Sequence, residues 1–215
     1  MTAAGDGAHR KGEIQLVVMA RWPAPGRCKR RLGVSIGATA AAAIQSRLTR
    51  HTLAVAVGAT ATAGVGLTLA VDGLAPGAAR RWGRSLGVER VRLQGAGNLG
   101  LRLQRQLRQA FRAGARAVAV IGTDLPNLDG PALTAAFSAL EQEALVLGPA
   151  CDGGYWLIGV GEHCPSAPLL AGIPWGSDRV LELTCRAAEA SALTPSLLAP
   201  RRDLDRLDDL APWLG

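Results

Sequence analysis

Short, uniformly apolar runs that end abruptly in glycine, proline or charge recur along this chain, and they restrict its possible folds more than any other feature. Residues 14–20 (IQLVVMA), 65–71 (VGLTLAV) and 117–122 (AVAVIG) are of this kind. A strand with one face in water alternates polar and apolar side chains, whereas a strand covered on both faces does not. Between these runs lie segments of helical period. Residues 37–57 carry Ile44, Leu48, His51 and Val55 at three- and four-residue spacing, and the helix is expected to stop near Gly58. Leu99, Leu103, Leu107 and Phe111 recur every four residues, with Arg102, Arg105, Arg108 and Arg112 off the apolar seam. Helices are further expected at 76–86, 131–140 and 178–190. Strands are expected at 91–93, 144–147, 155–160 and 193–198, with a helical turn from Asp205. Strands separated by helices imply an α/β fold of three layers, α/β/α, around a mainly parallel, doubly wound sheet with right-handed crossovers.

With 215 residues, 48% of them apolar, the chain is large enough for a substantial core and is expected to form one domain over 13–215. Residues 1–12 are small, polar and charged, with no apolar run behind them. They read as a disordered tail and not a secretory signal, so a cytoplasmic protein is expected. No stretch is long and apolar enough for a membrane span. Cys28, Cys151, Cys164 and Cys185 lack any C-x-x-C pair, which predicts free thiols and no zinc site. The net charge of +7 is concentrated between Arg80 and Arg116, where ten arginines face the single acid Glu89. Only Trp82 and Phe111 are interleaved with them, too few for a base-stacking platform, so a solvated face is preferred to a nucleic-acid partner.

Ligands of open α/β sheets lie beyond the carboxyl ends of the strands, which directs attention to the segments following each run. After the first comes Arg21-Trp-Pro-Ala-Pro-Gly-Arg-Cys-Lys-Arg-Arg-Leu32. Its composition is that of a phosphate-binding loop: Pro25 stiffens it, Gly26 permits close backbone approach, and Arg21, Lys29 and Arg31 are cationic. Lys29 stands out because the chain holds 22 arginines and only one other lysine, Lys11. An ammonium is a compact point charge suited to a pyrophosphate, where arginine imposes a planar fork. The alternative is a basic surface loop.

Asp124, in Gly122-Thr-Asp-Leu-Pro126, directly follows a buried run, where one carboxylate can hold Mg²⁺ together with substrate phosphates. The alternative is a turn cap. In Gly148-Pro-Ala-Cys-Asp-Gly-Gly-Tyr-Trp156, Gly153 and Gly154 let the backbone approach a ligand beside Asp152, a candidate base, while Tyr155 and Trp156 should point to opposite faces. A tight hairpin with an Asp-Gly turn is an equal reading. Trp175 could pack on a sugar or base, and Asp203 or Asp205 could return to the metal. Each is as readily a core aromatic or a helix cap.

Four motifs, Pro25-Gly26-x-x-Lys29-x-Arg31-Leu32, Gly97-Asn-Leu-Gly100-x-Arg102, Gly122-x-Asp124-x-Pro126 and Gly148-Pro149-x-x-Asp152-Gly-Gly-Tyr155, stand in this order. Together they resemble the GT-A type nucleotide-diphospho-sugar transferase superfamily, whose nucleotidyltransferase branch includes molybdenum-cofactor and phospholactate guanylyltransferases. More narrowly, they resemble a bacterial transferase family found beside radical-SAM selenodomain proteins and linked to arsenosugar biosynthesis. The resemblance implies a nucleotide or nucleotide-sugar cradled by the first loop with Gly97 and Arg102, Mg²⁺ or Mn²⁺ at Asp124, and a small-molecule acceptor near Asp152. Arg30 and Asn98 stand where that family usually has Thr and Asp.

Two reactions follow. In glycosyl transfer, Lys29 and Mg²⁺ neutralise a departing nucleoside diphosphate while Asp152 takes the acceptor proton. In nucleotidyl transfer, a substrate phosphate attacks the α-phosphate of a nucleoside triphosphate and needs no base. A carboxylate at 152 would repel that phosphate, which favours glycosyl transfer. A non-catalytic nucleotide-binding protein would need only the loop.

Overall fold

A computed structural model describes residues 12–213. The expected tail therefore lies outside the described residues except for Gly12, whose backbone N–H donates to the Gly114 carbonyl at 3.0 Å.

Seven strands form one sheet: β1 (Ile14–Arg21), β2 (Gly66–Asp72), β3 (Val91–Leu93), β4 (Ala117–Ile121), β5 (Leu145–Pro149), β6 (Tyr155–Gly161) and β7 (Ser196–Leu197). Their spatial order is β3-β2-β1-β4-β6-β5-β7. All neighbouring pairs are parallel except those of β6, which runs antiparallel to both β4 and β5. The reversal has a simple cause. Residues 150–154 are too few for the crossover of a dozen or more residues that parallel neighbours require, so β5 and β6 can pair only as a hairpin.

The uniformly apolar strands are covered on both sides, as their composition requires. Along β1, Leu16, Val18 and Ala20 join one core with Leu53, Ala79 and Phe137. Val17 joins the other with Leu103, Leu107, Leu169 and Ala188. Successive side chains of a strand point to opposite faces, so one run of sequence supplies both cores. The first layer is built by α2 (Ala38–Ala63), α3 (Pro76–Ser85) and α5 (Gly130–Gln142); the second by α4 (Leu99–Arg112), α6 (Ser166–Leu170) and α7 (Val180–Glu189).

Three expectations need correction. The helix expected to stop near Gly58 continues to Ala63, because Ala59 and Thr60 are still buried against the core. A mid-helix glycine costs only about 1 kcal/mol against alanine. Gly64, with φ 64° and its N–H on the Thr60 carbonyl, ends the helix instead. The basic loop is shorter than expected, since α1 (Arg30–Ile36) already begins at Arg30. The strand expected at 193–198 reduces to Ser196–Leu197 on the outer edge of β5. Among the described residues all four cysteines are free, and no helix is long and apolar enough to cross a membrane.

Candidate active site

The carboxyl ends of β1 and β4 open into a cavity of about 590 Å³ whose wall includes Arg21, Lys29, Gly97, Arg102 and Asp124. Arg21 ends β1 and Asp72 ends β2, in register across the parallel pair. The Asp72 carboxylate accepts from Arg21 Nε at 3.0 Å and from Arg102 Nη1 at 2.9 Å, so one acid fixes two guanidinium groups. Arg102, in the first turn of α4, also donates to the Gly97 carbonyl at 2.9 Å and to Gln94 Oε1 at 3.4 Å. Gln94 is itself buried, its amide nitrogen donating to the carbonyls of Ala20 and Ala70. Burial pushes the Asp72 pKa up, but the bonds and charges of Arg102 and Arg21 outweigh it and leave the carboxyl below its ordinary value.

Lys29 caps α1 in the left-handed conformation, φ 45° and ψ 48°. Its side chain is 4% exposed, and its Nζ lies 2.5 Å from Asp124 Oδ1 and donates to the Leu204 carbonyl. A left-handed non-glycine residue stores roughly 1–3 kcal/mol of strain that surrounding contacts must hold. Asp124, half-exposed, follows β4, and its loop is fastened on two sides: Gln45 of α2 donates to Thr123 Oγ1 at 2.9 Å, and the Asp124 carbonyl accepts from the Leu204 N–H at 2.9 Å. Cys28 is buried beside Lys29. Burial pushes its thiol pKa up despite the nearby Lys29 and Arg21 charges.

A second cavity of about 240 Å³ adjoins the first, sharing Leu99, Gly122, Asp124, Tyr155 and Trp156 as its border. Asp152, Gly154, Trp175 and Asp203 line it. Asp152 sits in the β5–β6 turn with Oδ1 accepting from the Gly154 N–H at 2.9 Å, so the carboxylate shapes the turn while standing exposed at the cavity. Gly153 adopts φ 87°, and a Cβ there would lie 2.0 Å from the Asp178 carbonyl oxygen. Its own carbonyl accepts from the Leu181 N–H at 2.9 Å, tying the turn to the start of α7. Tyr155 and Trp156 pack into opposite cores, as strand geometry requires. Trp175 meets Tyr155 edge to face with centroids 6.2 Å apart and rests on Gly100, where a Cβ would stand 2.5 Å from the indole nitrogen. Burial pushes the Asp203 pKa up, and the Asp152 and Asp124 carboxylates push it further.

Of the residues expected from sequence, Arg21, Lys29, Gly97, Arg102 and Asp124 therefore share the first cavity, and Asp124, Asp152, Gly154, Tyr155, Trp175 and Asp203 the second. Gly26 lies on an adjoining surface depression with Arg21, Arg27 and Arg30. Arg31 pairs with Asp205 at 2.9 Å and lines neither cavity; nor do Pro25 or Gly153. Asn98 accepts from the Leu101 N–H at 3.0 Å and caps α4, a task that asparagine and aspartate perform equally well. Asp72, Gln94 and Gln45 were not read from the sequence. Asp72 could have been, since it ends an apolar run just as Asp124 follows one.

The mostly parallel seven-stranded sheet between two helical layers matches the fold of nucleotide-diphospho-sugar transferases. Residues 52–177, more than half of the chain, match a bacterial family described as uncharacterized proteins conserved in bacteria (DUF2064), and the chain belongs to that family. It is similar to a candidate nucleotide-diphospho-sugar transferase from Desulfovibrio desulfuricans G20, at 27% identity and a TM-score of 0.80, over 93% of this chain and 85% of that one. Glucosyl-3-phosphoglycerate synthase from Mycobacterium tuberculosis, solved with Mn²⁺, uridine diphosphate and glucosyl-3-phosphoglycerate, shares the fold at 14% identity and a TM-score of 0.56, over 93% and 75% of the two chains. A cytidylyltransferase from Leptospira borgpetersenii does so at 12% identity and a TM-score of 0.57, over 92% and 83%. No curated protein matches the sequence.

Proposed function

We propose that this chain is a glycosyltransferase-like enzyme that moves a sugar from a nucleotide-activated donor to a small acceptor. The observation that carries the reading is the meeting of two compartments at Asp124: one bears Arg21, Lys29 and Arg102, the other Asp152. The donor's diphosphate lies against the cations, where Arg102 is held in place by Asp72 and Gly97 and needs no reorganisation. The acceptor occupies the smaller compartment. Its hydroxyl oxygen bonds to the anomeric carbon as the bond from that carbon to the diphosphate oxygen breaks. The electron pair stays on the departing diphosphate, faced by Lys29 and Arg102, and the hydroxyl proton passes to Asp152.

The donor set also fits a hard divalent cation. Among the described residues no three His, Cys, Asp or Glu side chains gather into a ready-made cage. Asp124, on the border of both cavities, nonetheless offers carboxylate oxygens of the kind that hold Mg²⁺ or Mn²⁺ when phosphate and water complete the shell. When bound there, such an ion supplies neutralisation of the diphosphate's charge. The relative solved with Mn²⁺ and uridine diphosphate supports this part of the reading. The narrower kinship with the arsenosugar-linked family, a single cytoplasmic domain, and the absence of a nucleic-acid partner belong to the same proposal.

Asp152→Asn decides between sugar and nucleotidyl transfer. Asparagine serves the same turn, so nucleotide affinity and stability should persist. Turnover, followed as acceptor glycosylation or slow hydrolysis of the nucleotide sugar, should fall roughly 10²–10⁴-fold. A variant that works at the parental rate would move the assignment to nucleotidyl transfer, where an ionised phosphate nucleophile needs no base.

A further inference from the structure

The two compartments differ in sign, and that difference selects the second substrate. The larger cavity presents Arg21, Lys29 and Arg102. Among the described residues the smaller one is lined by no lysine, arginine or histidine at all, and by three carboxylates: Asp124, Asp152 and Asp203. Two arginines that flank it are bound to other groups. Arg201 lies 5.7 Å over the Trp156 ring, but its guanidinium is bound to Asp129 at 2.9 Å and to the Asn127 carbonyl. Arg179 pairs with Glu182 at 3.3 Å. No side chain of this wall offers a phosphate or carboxylate a positive charge, and a second anion would also face the donor's own diphosphate across the border at Asp124.

Size and surface narrow the class further. At about 240 Å³ the compartment is below the roughly 300–1,000 Å³ of sites for drug-sized ligands. It therefore takes a molecule of monosaccharide size. Trp175, wedged on Gly100 and set edge-on to Tyr155, supplies a fixed aromatic wall, and the carboxylates of Asp152 and Asp203 accept hydrogen bonds. An aromatic surface beside carboxylate acceptors suits a compact body rich in O–H or N–H donors. We infer that the acceptor is a small polyhydroxy or amino-polyhydroxy molecule without an anionic group, and that Asp152 and Asp203 exclude phosphorylated and carboxylated analogues of the same size. This rests on the sugar-transfer reading and specifies the substrate class of its second site.

The test uses the whole chain with Mg²⁺ and uridine or guanosine diphosphate present. Glucose and mannose, glucosamine, and glucose 6-phosphate and glucuronate are titrated by calorimetry, as neutral, cationic and anionic probes. At least one neutral or amino sugar should bind in the millimolar range, and its anionic counterpart at least tenfold more weakly. In Asp203→Asn that discrimination should shrink at least threefold. An anionic sugar that binds as tightly as its neutral parent overturns the inference, as does the failure of every neutral and amino sugar at millimolar concentration. The nucleotide titration from the same protein separates the two levels. Nucleotide binding with the wrong acceptor preference sinks only this inference, whereas no nucleotide binding sinks the parent reading.

Discussion

Lys29 allows the sharpest quantitative test, because it combines a buried cation with a backbone conformation that lysine does not favour. A lysine waiting in solvent for a phosphate could be truncated with little effect on stability. This one is 4% exposed at its side chain and bonded to Asp124 and the Leu204 carbonyl. Hydrogen bonds to a charged group are worth about 1.5–3 kcal/mol, and each buried methylene of the stem adds about 0.8 kcal/mol. Asp124 is half-exposed, so water takes over part of the lost pairing and holds the total below that sum. Lys29→Ala should therefore lie about 3–5 kcal/mol below the parent. Lys29→Gly loses the same side chain but also the Cβ that makes φ 45° costly. It should be the more stable of the two by about 1 kcal/mol, or about 2–4 °C at this chain length, the reverse of the usual alanine-over-glycine order. Urea unfolding of both variants and the parent measures the two differences. An alanine variant as stable as the glycine variant would refute the strain, and a parent-like alanine variant would refute the buried contacts.

Asp203→Asn tests the crowding of carboxylates. Burial, then Asp152 and Asp124, raise the folded-state pKa, so the ionised residue is a burden that is absent at acid pH and grows as pH rises through the raised value. The asparagine variant should melt above the parent at pH 7 and lose that advantage towards pH 3; a pH-independent gap in thermal scans would count against the electrostatic cause. Gly153→Ala drives a Cβ to 2.0 Å from the Asp178 carbonyl at φ 87° and should cost about 2–4 kcal/mol in urea unfolding. A loss below about 1 kcal/mol would show that the turn is free to move away from α7.

What could be read from the sequence is what local composition records. β1, β2 and β4 announce themselves because both of their faces are covered, and Asp124 because it follows such a run. The short α1 was hidden inside a cationic segment without a side-chain cap, and α6 inside Ser166-Ala-Pro-Leu-Leu170, where a central proline argues against a helix. Gly58 reads as a stop because a glycine does not reveal from sequence whether the next turn of helix is buried. The antiparallel direction of β6 was within reach from the brevity of 150–154. The pairings of Lys29 with Asp124 and of Asp72 with Arg21 and Arg102 were not, since each joins ends of strands that only the order of the sheet brings together.

The hairpin of β5 and β6 sets where relatives of this protein can vary in length. Its five-residue connection is closed by bonds between Ala150 and Gly154 and between Gly153 and Ala150, and Gly153 is locked to α7 by Leu181, so an added residue would displace Asp152 or shift the register of a central strand. Residues 162–176, which include α6, cross no strand of the sheet and carry Trp175 at their far end. Insertions and deletions confined to that stretch can reshape the wall facing the acceptor while leaving the base-bearing turn untouched.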